Sequence, residues 1–332
     1  MLKLLCIPTK VIIEQEERNN KWKNTSLCYS EILIVHYKFP FVLWLFTLFF
    51  QGIVIANEMT ISADTIENTK EISAFDQRIQ IERETRYQSF VLTPHKPNYI
   101  MPITYNEKPN NASQTTSDGA ALDKNEVKFQ FSMKFPMVED LFGEQGTLYF
   151  AYTNLSFWQA YNVNTSSPFR ETVHEPEVFL TFPKNDKYLG FTNRMIQVGY
   201  THQSNGRSGE LSRSWNRFYA DFIFQKGNYY LSLKPWYRIE PPRNKDNPDI
   251  EKYLGHGEIR GVYAEGKHTV SVMLRNNFHS PNYGAFEFNW SFPMSRRVKW
   301  FVQYFNGYGE SLIDYNARVN RIGIGIAFTD WL

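Results

Sequence analysis

The stretch Val127-Lys128-Phe129-Gln130-Phe131-Ser132-Met133-Lys134-Phe135 sets five apolar side chains, at 127, 129, 131, 133 and 135, against four polar ones between them. Successive side chains of a strand leave on opposite faces, so a period of two predicts a strand with one apolar and one polar face. Similar runs follow at 147–159, 173–183, 190–203, 213–225, 228–238, 253–265, 267–276, 284–293 and 297–308. Weaker runs at 98–106 and 317–329 bring the number of strands to about twelve.

The connections alternate in length. Those at Lys226-Gly227, around Gly266 and at Met294–Arg296 are tight, whereas 107–124, 160–172, 204–212, 239–252 and 309–316 are long. Short turns at one end and long loops at the other are the pattern of an even-stranded, antiparallel, closed barrel in a membrane. The last run decides which face is apolar. In Arg321-Ile322-Gly323-Ile324-Gly325-Ile326-Ala327-Phe328 three isoleucines and a phenylalanine share one face, and Arg321 with small residues takes the other. An apolar exterior over a small or polar interior inverts a soluble barrel. The fold expected is therefore an all-β, antiparallel transmembrane β-barrel of about twelve strands, with short periplasmic turns and longer extracellular loops.

Composition agrees. The 332 residues are 42% hydrophobic and 17% aromatic, with 27 Phe, 20 Tyr and 8 Trp, yet the mean hydropathy is −0.46. Apolar residues must then be interspersed with polar ones, which excludes a bundle of membrane helices. A balance of 36 basic against 34 acidic residues leaves +2, so no global field points to nucleic acid.

One continuous apolar segment, Phe39–Ala56, follows Lys38 and ends in Val54-Ile55-Ala56. It resembles a secretory signal peptide, with Asn57 as the mature start; a single transmembrane anchor is the competing reading, disfavoured because no basic stop-transfer cluster follows. Met1–Tyr37 is a long leader of mixed charge for such a signal, which a start codon called too far upstream would explain. Both cysteines, Cys6 and Cys28, precede the cleavage site, so the mature chain would hold no disulfide and no thiolate metal site. The expected organisation is an extension and signal peptide over 1–56, a polar, loosely ordered periplasmic leader over 57–89, and the barrel over 90–332.

The segment that carries chemistry is Tyr200–Tyr219, YTHQSNGRSGELSRSWNRFY. His202 and Ser204 are two apart on a strand and project from one face, where an imidazole can deprotonate a hydroxyl. Asn216 lies on the next strand, where hairpin pairing returns it to His202 and its side-chain oxygen can fix the ring tautomer. Parity places all three outside, since His202 and Ser204 continue Ile196, Val198 and Tyr200, and Asn216 leads into Phe218, Phe222 and Phe224. A triad on the lipid face beside an outer loop would meet an acyl ester of the outer leaflet. Taken singly, His202 reads as an interfacial residue and Ser204 as the opening of a turn with Asn205-Gly206; the three together read as a site. Asn154 interrupts the outward series Leu148, Phe150 and Tyr152, where an amide facing lipid needs a partner, and so marks a position for self-association.

These residues resemble the outer-membrane phospholipase A family. The matching elements are His202-x-Ser204-Asn205-Gly206-Arg207-Ser208 and Ser212-Arg213-Ser214-Trp215-Asn216-Arg217. Ser167-Pro168-Phe169-Arg170-Glu171-Thr172, Asp246-Asn247-Pro248-Asp249-Ile250 and Gly307-Tyr308-Gly309-Glu310-Ser311 extend the match over roughly 90–332. The resemblance implies an outer-membrane serine hydrolase, a phospholipase A1/A2, cleaving acyl esters of glycerophospholipids and lysophospholipids through His202, Ser204 and Asn216. It implies the Gly206 amide in the oxyanion hole. It also implies Ca²⁺ held by the Arg207 carbonyl and the Ser212 hydroxyl, with Ser166 supplied by the second subunit of a homodimer. Hard oxygen ligands suit calcium. The family usually has Gln where this chain has Asn154, and commonly Asp where it has Gln203.

Two other readings compete. A porin or surface-binding barrel on the same scaffold would conduct ions and lack esterase activity, but it has no use for the complete triad. A soluble esterase on a β-sandwich is disfavoured by the outward isoleucines and the signal segment.

Overall fold

The structure, a computed structural model, describes residues 72–89, 91–111, 121–144, 146–165, 167–239 and 246–332. The candidate signal segment Phe39–Ala56, both cysteines and Ser166 lie outside the described residues.

Helix α1, Ala74–Thr85, comes first. After a two-residue bridge, Thr93–Pro94, come twelve strands: β1 Asn98–Asn106, β2 Asn125–Asp140, β3 Gly146–Trp158, β4 Phe169–Pro183, β5 Phe191–Ser204 and β6 Ser214–Lys226. They continue as β7 Tyr229–Arg238, β8 Gly257–Glu265, β9 His268–Asn276, β10 Gly284–Pro293, β11 Lys299–Gly307 and β12 Val319–Thr329. Each strand pairs antiparallel with its neighbours in sequence. The cylinder closes because β1 pairs with both β2 (Ile100 opposite Phe129) and β12 (Ile103 opposite Ile324). Closure leaves no strand edge unpaired, which the interior of a bilayer requires. No described helix is long and apolar enough to cross a membrane.

The alternation read from the sequence sorts the two faces. On β12, Ile322, Ile324 and Phe328 are exposed while Arg321 and Ala327 are buried. Val198 and Tyr200 on β5 and Phe218 on β6 are likewise exposed, whereas Thr201, Trp215 and Arg217 point inward. The lumen is crossed by charged side chains and encloses a cavity of about 310 Å³ bordered by Arg217, Glu258, Arg260 and Gln303. Lys128 and Arg321 both reach Glu310, at 2.8 and 2.9 Å, and Arg321 also reaches Glu126 at 2.7 Å. Such buried charges are tolerable because each has an opposite charge within bonding distance. An aromatic cluster of Trp215, Trp236, Tyr219 and Phe179 fills the space beside them, with the Arg217 guanidinium 3.9 Å from the Trp215 ring centre.

Three elements depart from the sequence reading. Residues 74–85, expected to be loosely ordered, form α1. Its Ser73 cap accepts a hydrogen bond from the Asp76 amide at 3.2 Å. Phe75 stacks on Tyr230 at 6.3 Å, Asp76 pairs with Arg194, and Arg78 donates to the Trp331 carbonyl at 2.6 Å. The helix is held by these contacts with the barrel rather than by a strong apolar stripe, which is why no period announced it. Strand β4 begins at Phe169 rather than 173, because a bulge opposite Phe157 and Trp158 buries both Arg170 and Glu171 and so breaks the period of two. Residues Ile250–Leu254, partly assigned to a strand, form a short helix.

Candidate active site

Strands β5 and β6 form a hairpin whose long loop, 205–213, lies at the end of the barrel opposite the tight Lys226–Asn228 turn. Its register places Tyr200 opposite Phe218, His202 opposite Asn216 and Ser204 opposite Ser214. Directly opposite residues in an antiparallel pair have side chains on the same face, so His202 and Asn216 meet outside the barrel. The His202 Nδ1 lies 2.8 Å from the Asn216 Oδ1. The Tyr200 hydroxyl donates to the same oxygen at 2.6 Å. Two donors converging on one amide oxygen fix the orientation of the carboxamide. With Nδ1–H donated to Asn216, the lone pair of His202 is on Nε2, the tautomer a general base needs. The neutral amide also suits its surroundings, because a carboxylate beside hydrocarbon would carry a large desolvation cost.

Ser204 shares the outward face with His202, and its hydroxyl makes no hydrogen bond among the described residues. It is free to turn toward Nε2, and such contacts often tighten only when substrate is present. The next residue builds the loop. Asn205 is buried; its backbone amide donates to the Arg213 carbonyl at 3.0 Å, and its Oδ1 accepts from the amides of Arg213 at 3.0 Å and Arg207 at 3.3 Å. Its Nδ2 donates to the Leu211 carbonyl at 2.9 Å. One side chain thus staples both ends of the loop. Between these bonds Gly206 takes φ = +64°, a left-handed conformation that glycine adopts without strain. Its amide donates to nothing among the described residues, so it is available to a ligand beside Ser204.

The family model described as Phospholipase A1 matches residues 75–328, most of the chain. The chain belongs to the phospholipase A1 family. Phospholipase A1 of Klebsiella pneumoniae is 40% identical over 242 residues, covering 73% of this chain and 83% of that protein. The Escherichia coli K12 enzyme is 39% identical over 242 residues, covering 73% and 82%. Among solved structures, the calcium-bound dimer of Salmonella typhi outer membrane phospholipase superposes with a TM-score of 0.70 at 39% identity, covering 74% of this chain and 94% of that one. Outer membrane phospholipase A from Escherichia coli gives 0.70 at 38% identity, covering 73% and 100%. A variant of that enzyme, substituted from asparagine to alanine in its active site, gives 0.69 at 38%. This phospholipase is thus an outer-membrane β-barrel, as its inverted faces require.

Other residues singled out in the phospholipase sequence fall around the same loop. The Ser212 hydroxyl donates to the Asp246 carboxylate at 2.8 Å, leaving its oxygen lone pairs free to meet a cation. Arg207 is anchored by its guanidinium, which donates to the carbonyls of Phe169 at 3.2 Å and Arg170 at 2.7 Å. The Arg207 carbonyl accepts no hydrogen bond among the described residues. No group of three or more His, Cys, Asp or Glu residues clusters as a metal site among the described residues; a carbonyl and a hydroxyl beside Asp246 are instead the hard donors that calcium takes. Asn154 lies on the outer face of β3, and its Oδ1 accepts from Ser156 at 3.0 Å. Gln203, by contrast, turns inward and accepts from the Trp215 indole at 2.7 Å.

The sequence reading missed two participants. Tyr200 was placed on the outer face but not assigned the amide it orients. His174, on β4, was not singled out at all, although it stands directly opposite Ser204. Its signal was legible in principle: like Asn154, it puts a polar group at an outward position in an otherwise apolar series, here with Val178.

Proposed function

We propose that this phospholipase hydrolyses the acyl ester bonds of glycerophospholipids and lysophospholipids at its lipid-facing surface, with Ser204 as nucleophile, His202 as base and Asn216 as orienting group. The carrying observation is the 2.8 Å contact of His202 Nδ1 with Asn216 Oδ1 on the outer wall, which leaves Nε2 as the free base on the face that bears Ser204. That side of the wall faces lipid, where a phospholipid acyl ester is met and a soluble ester is not.

In the first half-reaction the Ser204 Oγ bonds to the ester carbonyl carbon while its proton passes to His202 Nε2. The carbonyl electron pair moves onto oxygen, where the Gly206 amide donates to it. Collapse breaks the bond to the glycerol oxygen, which takes the proton from His202, and the acyl group stays on Ser204. Water then attacks the acyl carbon as His202 removes its proton; the acyl–Ser204 bond breaks, His202 returns the proton to the Ser204 Oγ, and fatty acid leaves.

The residues that would hold calcium are the Arg207 carbonyl and the Ser212 hydroxyl, with Ser166 from the partner subunit. Bound there, the cation would polarise the attacked carbonyl and offset the developing negative charge. A relative's structure as a calcium-bound dimer supports this reading, as do the free Arg207 carbonyl and the Asp246 carboxylate beside Ser212. Because the site draws on two chains, self-association would switch the enzyme on, and Asn154 is the interface position. The lumen crossed by Lys128, Glu310 and Arg321 disfavours a conducting pore.

The test is fatty-acid release from phospholipid–detergent mixed micelles. Activity is expected with calcium, and it should disappear on chelation and in Ser204→Ala. Undiminished release in both cases would sink the proposal.

A further inference from the structure

A transverse row of paired residues crosses the outer wall in the order Phe131, Asn154, His174, Ser204, Ser214. Ser204 is therefore flanked by two histidines: His202, two residues back on its own strand, and His174, directly across on β4. The two rings are held differently. His202 spends its Nδ1 on Asn216, while the His174 Nδ1 lies 2.6 Å from the Tyr152 hydroxyl. A phenol is a better donor than an acceptor, so Tyr152 gives its proton to Nδ1 and the hydrogen of the neutral imidazole sits on Nε2. The two rings thus carry opposite tautomers, one offering a lone pair at Nε2 and the other an N–H.

The second ring lies beside the glycine whose amide is unpaired among the described residues. A Cβ built on Gly206 would stand 3.7 Å from both Cδ2 and Nε2 of His174. The ring edge that bears Nε2 therefore borders Gly206, two residues beyond Ser204. Glycine at this position leaves that edge uncovered. Tyr152 meets the ring end-on, with centroids 6.2 Å apart, so this hydrogen bond sets where the imidazole stands.

We propose that His174 is a further catalytic residue of the acyl transfer, its Nε2–H donating a hydrogen bond to the ester carbonyl oxygen alongside the Gly206 amide. The inference rests on the reading of Ser204 as nucleophile. The proton stays on Nε2 throughout; the bond strengthens as the carbonyl electron pair moves onto oxygen, and weakens again when the carbonyl re-forms. A fixed donor in a site of low dielectric favours the transition state over the ground state, so it acts on kcat more than on KM.

The experiment measures kcat and KM for phospholipid hydrolysis on chemically cross-linked dimers, so that altered self-association cannot move the result. His174→Phe, His174→Gln, His202→Ala and Ser204→Ala are compared, each first shown to fold by its heat-modifiable gel mobility. Removing one oxyanion donor lowers kcat by roughly 100-fold, and that loss is expected for His174→Phe with little change in KM. His174→Gln, whose amide N–H reaches the same point, should recover most of it. Full kcat in His174→Phe overturns the proposal. So does a His174→Gln variant as inactive as His202→Ala, because glutamine can donate but cannot serve as a base. Activity surviving in Ser204→Ala would instead overturn the reading beneath it.

Discussion

His202 and Asn216 stand directly opposite each other across the β5–β6 hairpin, with the ring Nδ1 2.8 Å from the amide oxygen. That oxygen also receives the Tyr200 hydroxyl at 2.6 Å, so the orientation of the base depends on three residues from two strands. A misplaced base costs about 10²-fold in rate, and Asn216→Ala is expected to lose that much in kcat. Tyr200→Phe, which leaves the amide one of its two donors, should lose only a few-fold, roughly as one neutral hydrogen bond is worth. Steady-state kinetics on both variants, with the barrel confirmed folded, checks the order. Tyr200→Phe falling further than Asn216→Ala would be the wrong result.

The loop that presents Gly206 and Arg207 depends on Asn205. Asn205→Ala removes the Oδ1 that accepts from the Arg207 and Arg213 amides and the Nδ2 that reaches Leu211. Leaving part-buried amides unpaired costs at most about 1–3 kcal/mol each, and the cost falls on the loop rather than on the twelve-stranded wall. The calcium concentration for half-maximal activity should rise at least several-fold while thermal unfolding of the barrel barely shifts. A calcium titration of activity beside a melting curve separates the two.

Gly199 faces the lumen between Phe179 and Tyr219. A Cβ there would lie 2.5 Å from the Phe179 Cβ and 2.9 Å from the Val178 carbonyl oxygen. Neither neighbour is the loose end of a side chain, so neither can move aside cheaply. Gly199→Ala should destabilise the barrel by about 1–3 kcal/mol, the usual cost of overpacking. Reversible urea unfolding in detergent would register it, and unchanged stability would show that the hairpin can shift.

Docking of α1 should depend on acid. Glu82 is buried, and burial by itself pushes its carboxyl up. Lys134 at 2.8 Å and Arg78 at 2.9 Å outweigh burial and hold it below the usual glutamate range. A carboxyl lowered in the folded state contributes stability that is fully present above its unfolded value, ~4.3. That contribution is lost as the pH falls through the folded value. Amide hydrogen exchange across residues 74–85 should therefore be protected at neutral pH and speed up, after correction for intrinsic rates, only well below pH ~4. In Glu82→Gln the protection should already be weak at neutral pH.

Period-two patterning was enough to find the barrel, because inside and outside differ in polarity along nearly every strand. It failed where alternation breaks. At Arg170 and Glu171 a bulge buries two successive charged side chains, and the start of β4 reads as loop. It failed also at α1, which Arg78 ties to the nearby Pro94 and His95 carbonyls, while Phe75, Asp76 and Arg78 reach Tyr230, Arg194 and Trp331 more than a hundred residues away in sequence.

The sequence by itself determined the strands, the inverted faces, the outward parity of His202, Ser204 and Asn216, and the motif that carries the family resemblance. All of these are local: they depend on spacing along one segment or across one hairpin. Tertiary structure alone decided what lies beside the nucleophile on its other flank. His174 is thirty residues from Ser204, across a loop whose length does not fix register. Only the pairing of β4 with β5 sets His174 opposite Ser204, and only the pairing of β3 with β4 brings Tyr152 to its ring. Register between strands is a property of the closed barrel, because one residue of slip would move every side chain of a strand to the opposite face.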